Sequence, residues 1–406
     1  MTVVQTSDET IEELVVALIQ LVQGCGGFIH PALKIVSTQG EFSLALDKKL
    51  EPKTCVLRVP FQCMPVIEGF DLTYQQQTIV VTPKTEVTDA GVELQTELQV
   101  SCMDILVRLY NHTNKIEEFS RVSPVLALRQ HPKLLGLLAT AVGQQLSDFD
   151  VLDKLGMLNL AVYLKSRVFH RSDVKGSRLL PLIDFADHAI FADPLRIGDG
   201  GVQSDEFMQI NYMPVDNSLQ CFVSYSMMDC LDSYMSYGYV DKTAFFVKSL
   251  PFTVELEGFG TFSVERWNVN ASQLDPAEWD NSGRAASFYA ANFTASPQQI
   301  EVRFVLIPPV EHMEAFDEVL GLYLTECEQV SSSSEGKLNT SENKKLIMQA
   351  MLKVNLDFYM SLQVHILTGL ADDKASAVLM LKQMIQKQLD IILEFKRGLE
   401  AAYKQS

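Results

Sequence analysis

The chain has 406 residues, 47% of them hydrophobic and 21% charged, with a formal net charge of −18. At about 150 residues per domain the length suggests two to three domains, and the apolar share is too high for disorder. The acidic balance opposes nucleic-acid binding, which needs a basic footprint, and suits a partner protein with a basic segment.

No apolar run approaches the roughly 18 residues that span a bilayer. Phe304 to Val310 is far too short and carries Pro308 and Pro309. Met1 to Glu13 is acidic and no Lys or Arg precedes Lys34, so neither a secretory signal nor a transit peptide is expected. Seven cysteines form no Cys-x-x-Cys pair and no zinc spacing. Reduced thiols in an intracellular protein are expected, the cytoplasm foremost, with nucleus and plastid left open.

Asp8 to Gln23 reads as a helix, capped by Ser7 or Asp8, with Ile11, Leu14, Val15, Leu18 and Leu21 or Val22 on one face. Gly24, Gly26 and Gly27 stop it. Short strands follow at Leu33–Val36, Phe42–Leu46 and Cys55–Val59, punctuated by Gly40, Pro52 and Pro60. Residues 76–165 read as a mainly helical block, clearest at Leu94–Tyr110 and Leu134–Leu146. Strands return at Leu179–Asp184, Phe207–Tyr212 and Gln220–Tyr225. Residues 243–307 alternate at period two, as in Phe252 and Val254, Phe262 and Val264, and Val302, Phe304 and Leu306. After Pro308-Pro309 come three helices, Glu311–Gln329, Glu342–Leu367 and Ser376–Ala402, with a polar loop at 331–336. The last carries Val378, Leu381, Ile385, Leu389, Ile392, Phe395 and Leu399 at steps of three and four. That stripe reads as packing between antiparallel helices rather than a dimer seam, so a monomer is expected.

Three signals lie between residues 166 and 240. They are Ser166-Arg167-Val168-Phe169, then Leu180 to His188 with its Pro181, Asp184, Asp187 and His188, then Tyr225 followed by Tyr237-Gly238-Tyr239-Val240. Asp184, Asp187, His188 and Asp193 are also close enough in sequence to suggest oxygen-plus-imidazole ligation of a divalent cation. No second histidine follows at helical spacing, so no metal is expected. Phosphate loops, Gly-x-Ser-x-Gly and dinucleotide fingerprints are missing from the sequence.

In this order and spacing the signals resemble the SET-domain methyltransferases of the Rubisco large-subunit lysine methyltransferase type. Gly40 to Pro60 is similar to the opening SET segment, and residues 166–169 to the family's Ser-Arg-x-Phe. Leu180 to His188 is similar to its Pro-x-x-Asp-x-x-Asn-His, and residues 237–240 to its Tyr-Gly-Phe. The resemblance implies an α+β fold of small twisted sheets with a helical insert, followed by a mainly helical, substrate-binding-like lobe. Its boundaries would be a SET domain over 1–250 with the insert at about 76–165, a β-rich connection over 251–310, and the lobe over 311–406.

The resemblance further implies S-adenosylmethionine as cofactor and methyl transfer to a lysine, alternatively a histidine, of a partner protein. Tyr237 would be catalytic, with its hydroxyl at the transfer point. Gly40, Glu41, Phe42, Arg167, Asp187, His188 and Tyr237 would surround the cofactor, with Arg167 near its carboxylate or else holding Asp184. Tyr225 and Tyr239 would line the substrate channel, and Asp184 would be structural. Three positions depart from the family pattern. Asp187 replaces an asparagine, Gly40-Glu41-Phe42 replaces Gly-x-Gly, and Cys230 stands where an asparagine is frequent. An ionised aspartate accepts hydrogen bonds but cannot donate one. These departures keep a second reading open, a catalytically weak or inactive SET-fold protein acting as a protein-binding module.

Overall fold

The computed structural model describes residues 3–87, 92–144, 153, 156–170, 176–198, 206–256, 260–266, 290–296, 299–330, 340–371 and 373–405. Its residue contacts divide the chain into two compact units, residues 1–121 with 147–226 and residues 122–146 with 227–406. The chain is α+β, with several small sheets.

In the first unit the strands are β1 (Val3–Gln5), β2 (Phe28–Ile29), β3 (Leu33–Thr38), β4 (Glu41–Leu46), β5 (Cys55–Pro60), β6 (Phe70–Gln75), β7 (Thr78–Pro83), β8 (Val168–His170), β9 (Ser177–Leu179), β10 (Asp187–His188), β11 (Arg196–Gly198), β12 (Phe207–Asn211) and β13 (Phe222–Val223). They pair as β1-β3-β4, β11-β12-β5-β2, β6-β7, β8-β9 and β10-β13. Helices α1 (Glu9–Gly24), α2 (Glu97–His112), α3 (Lys115–Val122) and α4 (Leu158–Lys165) accompany them.

Local chemistry explains the clearest elements. Asp8 caps α1 by accepting the Ile11 N–H at 3.1 Å, and Glu9 and Glu12 complement the positive end of the helix. Ile11, Leu14, Val15, Leu18, Ile19 and Val22 are buried on one face, each worth roughly 1.5–3 kcal/mol of transfer free energy. Gly26 ends the segment at φ +84°, in the left-handed region. Thr96 and Gln99 form a reciprocal capping box at the start of α2.

The helical block does not open at residue 76. Residues 78–83 are strand β7, joined to β6 through Gln76 and Gln77, both at positive φ (51° and 63°). That is the geometry of a two-residue hairpin turn, and glutamine is not the residue pair that signals it. The strand expected over Leu179–Asp184 ends at Leu179. Leu182 adopts φ 62°, ψ −35°, and the Ile183 N–H reaches back to the Pro181 carbonyl at 2.7 Å. This is a strained γ-turn in a residue with no solvent exposure, followed by a 3₁₀ turn over Ile183–Phe185. The strand expected over Gln220–Tyr225 is only β13.

In the second unit, strands β14 (Val247–Lys248), β15 (Phe252–Leu256), β16 (Gly260–Val264), β17 (Ala290–Ser296) and β18 (Gln299–Ile307) form one sheet, ordered β14-β18-β16-β15 with β17 also on β18. Ile300, Val302 and Phe304 are buried at period two. Helix α5 (Cys230–Tyr237) precedes the sheet, and α6 (Met313–Val330), α7 (Thr340–Gly369) and α8 (Ser376–Gln405) follow it. All seven residues of the predicted α8 stripe are buried, and Phe316 meets Phe395 edge to face with centroids 5.8 Å apart. Asn355 pins α7 to the end of β14, donating to Ser249 Oγ at 2.8 Å and accepting from the Leu250 N–H at 3.1 Å. The polar loop expected at 331–336 lies outside the described residues. The cysteines whose side chains are described are free thiols, Cys25 and Cys55 half-buried and the others buried.

Candidate functional site

The turn between β3 and β4 places Gln39 and Gly40 at positive φ (54° and 83°). A Cβ at Gly40 would lie 3.2 Å from Thr113 Cβ, so both conformation and close packing favour glycine. Beyond the turn, Glu41 pairs with Lys115 Nζ at 2.7 Å, and Lys115 also lies 4.0 Å from Glu118. Phe42 stacks on Phe185, with centroids 4.4 Å apart and planes at 17°, and the Lys115 ammonium sits 5.8 Å from the Phe42 centroid. The position that would carry the second glycine of the family turn therefore carries half of an aromatic pair.

Arg167 follows α4, where its N–H caps the Leu164 carbonyl at 2.8 Å. Its Nη1 donates to Asp184 Oδ1 at 3.1 Å, and its guanidinium lies 5.4 Å from the Tyr163 ring centroid. Desolvation pushes the Asp184 carboxyl above its ordinary range, while Arg167, Lys115 and the Tyr110 hydroxyl pull it back. The direct guanidinium contact favours an ionised pair. So Arg167 does hold Asp184, yet its Nε–H is buried with no acceptor among the described residues.

Asp187 and His188 form β10, parallel to β13. The Gln220 side-chain amide donates to Asp187. Asp187 is exposed to solvent, but neighbouring protein desolvates it enough to raise its carboxyl. Glu41 adds to the rise, and Arg167 and Lys115 oppose it, so these groups share one electrostatic environment. His188 Nδ1 accepts the Tyr225 N–H at 3.1 Å, which puts the proton of the neutral ring on Nε2. The His188 and Tyr225 rings stack at 5.4 Å, and the Tyr225 hydroxyl donates to the Ala186 carbonyl. Tyr225 thus contributes a ring face, with its hydroxyl proton committed to backbone.

Asp193 belongs to a different construction. It takes Arg196 in two bonds, at 2.8 and 2.9 Å, and Asn211 Nδ2 at 2.8 Å, bracing β11 and β12. Among the described residues no group of His, Cys, Asp and Glu could hold a metal ion.

Tyr237 and Tyr239 belong to the second unit. Tyr237 is the last residue of α5, and Gly238 closes the helix at φ 74°. A Cβ on Gly238 would stand 2.7 Å from the Val122 carbonyl oxygen. The two tyrosine rings are 6.1 Å apart. The N-terminal end of α5 is held by buried charges that no sequence spacing revealed. Asp229 caps it, accepting the Leu231 and Asp232 N–H groups at 3.0 and 2.9 Å and the Lys248 N–H at 2.9 Å. Arg266 Nη2 lies 3.0 Å from both Asp229 and Asp232, and Lys248 Nζ lies 2.6 Å from Asp232. Cys230 is buried, its thiol pushed up to about 12 by desolvation.

The chain is thus an α+β protein with a mixed acidic, basic and aromatic cluster in one unit and a tyrosine pair at a glycine-capped helix end in the other. No family model matches the chain. No curated protein matches it either. Among solved structures, it is similar to the SET domain of LSMT bound to lysine and AdoHcy, at 13% identity and a TM-score of 0.40, over 95% of this chain and 91% of that one. The same domain with methyllysine and AdoHcy aligns at 13% identity and 0.42, over 96% and 91%. Rubisco LSMT bound to AdoMet aligns at 13% identity and 0.37, over 95% and 92%.

Proposed function

We propose that the protein is a SET-type methyltransferase that moves a methyl group from S-adenosylmethionine to a lysine side chain of a partner protein. One observation carries the reading. The motif residues Arg167, Asp187 and His188 share a cluster with the Gly40 turn, although up to 148 residues separate them (188 − 40). The donor set suits the cofactor. Asp187 can accept an ammonium, Arg167 carries an unsatisfied N–H that a carboxylate could take, and aromatic faces flank them.

The cofactor, when bound, supplies an activated methyl on a sulfonium. The chain's task is alignment, which can contribute several kcal/mol. A lysine nucleophile must arrive neutral, at a cost of about 4–5 kcal/mol from a pKa near 10.4 at pH 7. Tyr237 and Tyr239, assigned from the Tyr-Gly-Phe resemblance, would supply the apolar faces that disfavour the ammonium. Histidine is an alternative nucleophile. The acidic chain suits a basic target segment, and helices α6–α8 would help to dock it.

A second reading rests on the Phe42–Phe185 stack, which fills a position where the family places glycine. Under it the protein is a weak or inactive member that binds a partner without transferring methyl. Calorimetric titration with S-adenosylmethionine separates the two. Saturable binding supports the enzyme, and a folded protein that binds none at millimolar ligand supports the binding module.

A further inference from the structure

Around the proposed cofactor cluster, four carboxylates stand against two cations. Glu41 and Glu118 share Lys115, Asp184 has Arg167, and Asp187 has only the Gln220 amide. Among the described residues no Lys or Arg forms an ion pair with Asp187, and its carboxylate is exposed to solvent. The family's asparagine at this position is neutral. The substitution therefore adds one negative charge, with no ion-pair partner among the described residues, at a solvent-exposed position beside the cluster.

The methyl donor and its product differ by one charge. S-adenosylmethionine carries a sulfonium, an ammonium and a carboxylate, for a net charge of +1. S-adenosylhomocysteine has a thioether in place of the sulfonium and is neutral overall. Resting on the methyl-donor reading above, we propose that Asp187 makes the site discriminate between donor and product by charge, favouring the sulfonium and letting the spent thioether leave. An asparagine would donate and accept hydrogen bonds to the amino-acid portion, which the two ligands have in common. Loss of that donor weakens both alike and cancels in the ratio of their affinities. The charge does not cancel, and one added charge interaction at a partly screened site changes the ratio by roughly three- to thirty-fold.

The test is calorimetry of the full chain at pH 7.5 with each ligand, for wild type, Asp187→Asn and Asp187→Glu, with thermal melts to confirm folding. Because Asp187 is exposed, all three proteins should fold. The expected result is a donor-over-product preference in wild type that falls three- to thirty-fold in Asp187→Asn, persists in Asp187→Glu, and shrinks in wild type as salt rises. If both ligands bind and the ratio is the same in wild type and Asp187→Asn, charge discrimination is wrong while the cofactor reading survives. If neither ligand binds any of the folded proteins, the cofactor reading fails and this inference falls with it.

Discussion

Arg266→Met should destabilise the second unit more than any change at an exposed charge. The Arg266, Asp229, Asp232 and Lys248 side chains are at most 5% exposed, and Arg266 bonds both aspartates at 3.0 Å and the Lys248 carbonyl. Removing the guanidinium leaves two buried carboxylates facing one ammonium. Breaking a buried pair in this way costs about 3–5 kcal/mol. At roughly 2–4 °C per kcal/mol for a unit of this size, the melting transition should fall by about 6–20 °C. Differential scanning calorimetry is the assay, because two compact units can give separable transitions and only one should move. The pH dependence checks the cause. Desolvation pushes the Asp232 carboxyl up, but Arg266 and Lys248 outweigh it and hold the group below its ordinary range. A carboxyl lowered in the folded state contributes stability above its unfolded pKa near 3.9, and that stability is lost as pH falls through the folded value. The deficit of Arg266→Met should thus be largest near neutrality and shrink below about pH 4. A shift under about 3 °C, or a deficit that does not change with pH, would refute the argument that this cluster anchors α5.

Tyr237→Phe should lose most methyl transfer while leaving S-adenosylmethionine affinity within about two-fold, as for a contact made mainly in the transition state. Calorimetry and a methyl-transfer assay on the same preparations check both halves. Thr96→Ala removes one side of the α2 capping box and should cost about 1 kcal/mol by denaturant unfolding, with an unchanged slope. Gly238→Ala forces a left-handed residue and a Cβ only 2.7 Å from the Val122 carbonyl, so a loss of at least roughly 1–2 kcal/mol is expected. Equal melting of that variant and wild type would show that the turn relaxes freely.

Elements whose information is local were legible in the sequence. The Asp8 cap with the apolar face behind it, the β3, β4 and β5 runs, and the α8 stripe all follow from residue type and spacing. The β6–β7 hairpin was missed because Gln76 and Gln77 hold a turn that sequence assigns to asparagine and glycine. The motif run ending at His188 named residues that lie together in the fold, yet the γ-turn at Leu182 that precedes the Asp184–Arg167 pair had no sequence signature. The pairing of Lys115 with Glu41 and the Arg266 cluster were invisible because those partners come from distant segments. Arg266 meets Asp229 and Asp232 across 37 and 34 residues. No local period encodes such a meeting.

The most direct test of the central claim is calorimetric titration of the full chain with S-adenosylmethionine, alongside Arg167→Ala. One saturable site is expected in wild type, competed by S-adenosylhomocysteine and weakened at least ten-fold in the variant, since a charged hydrogen bond is worth about 1.5–3 kcal/mol. No binding by the folded wild-type protein at millimolar ligand, or binding that Arg167→Ala leaves intact, would contradict it.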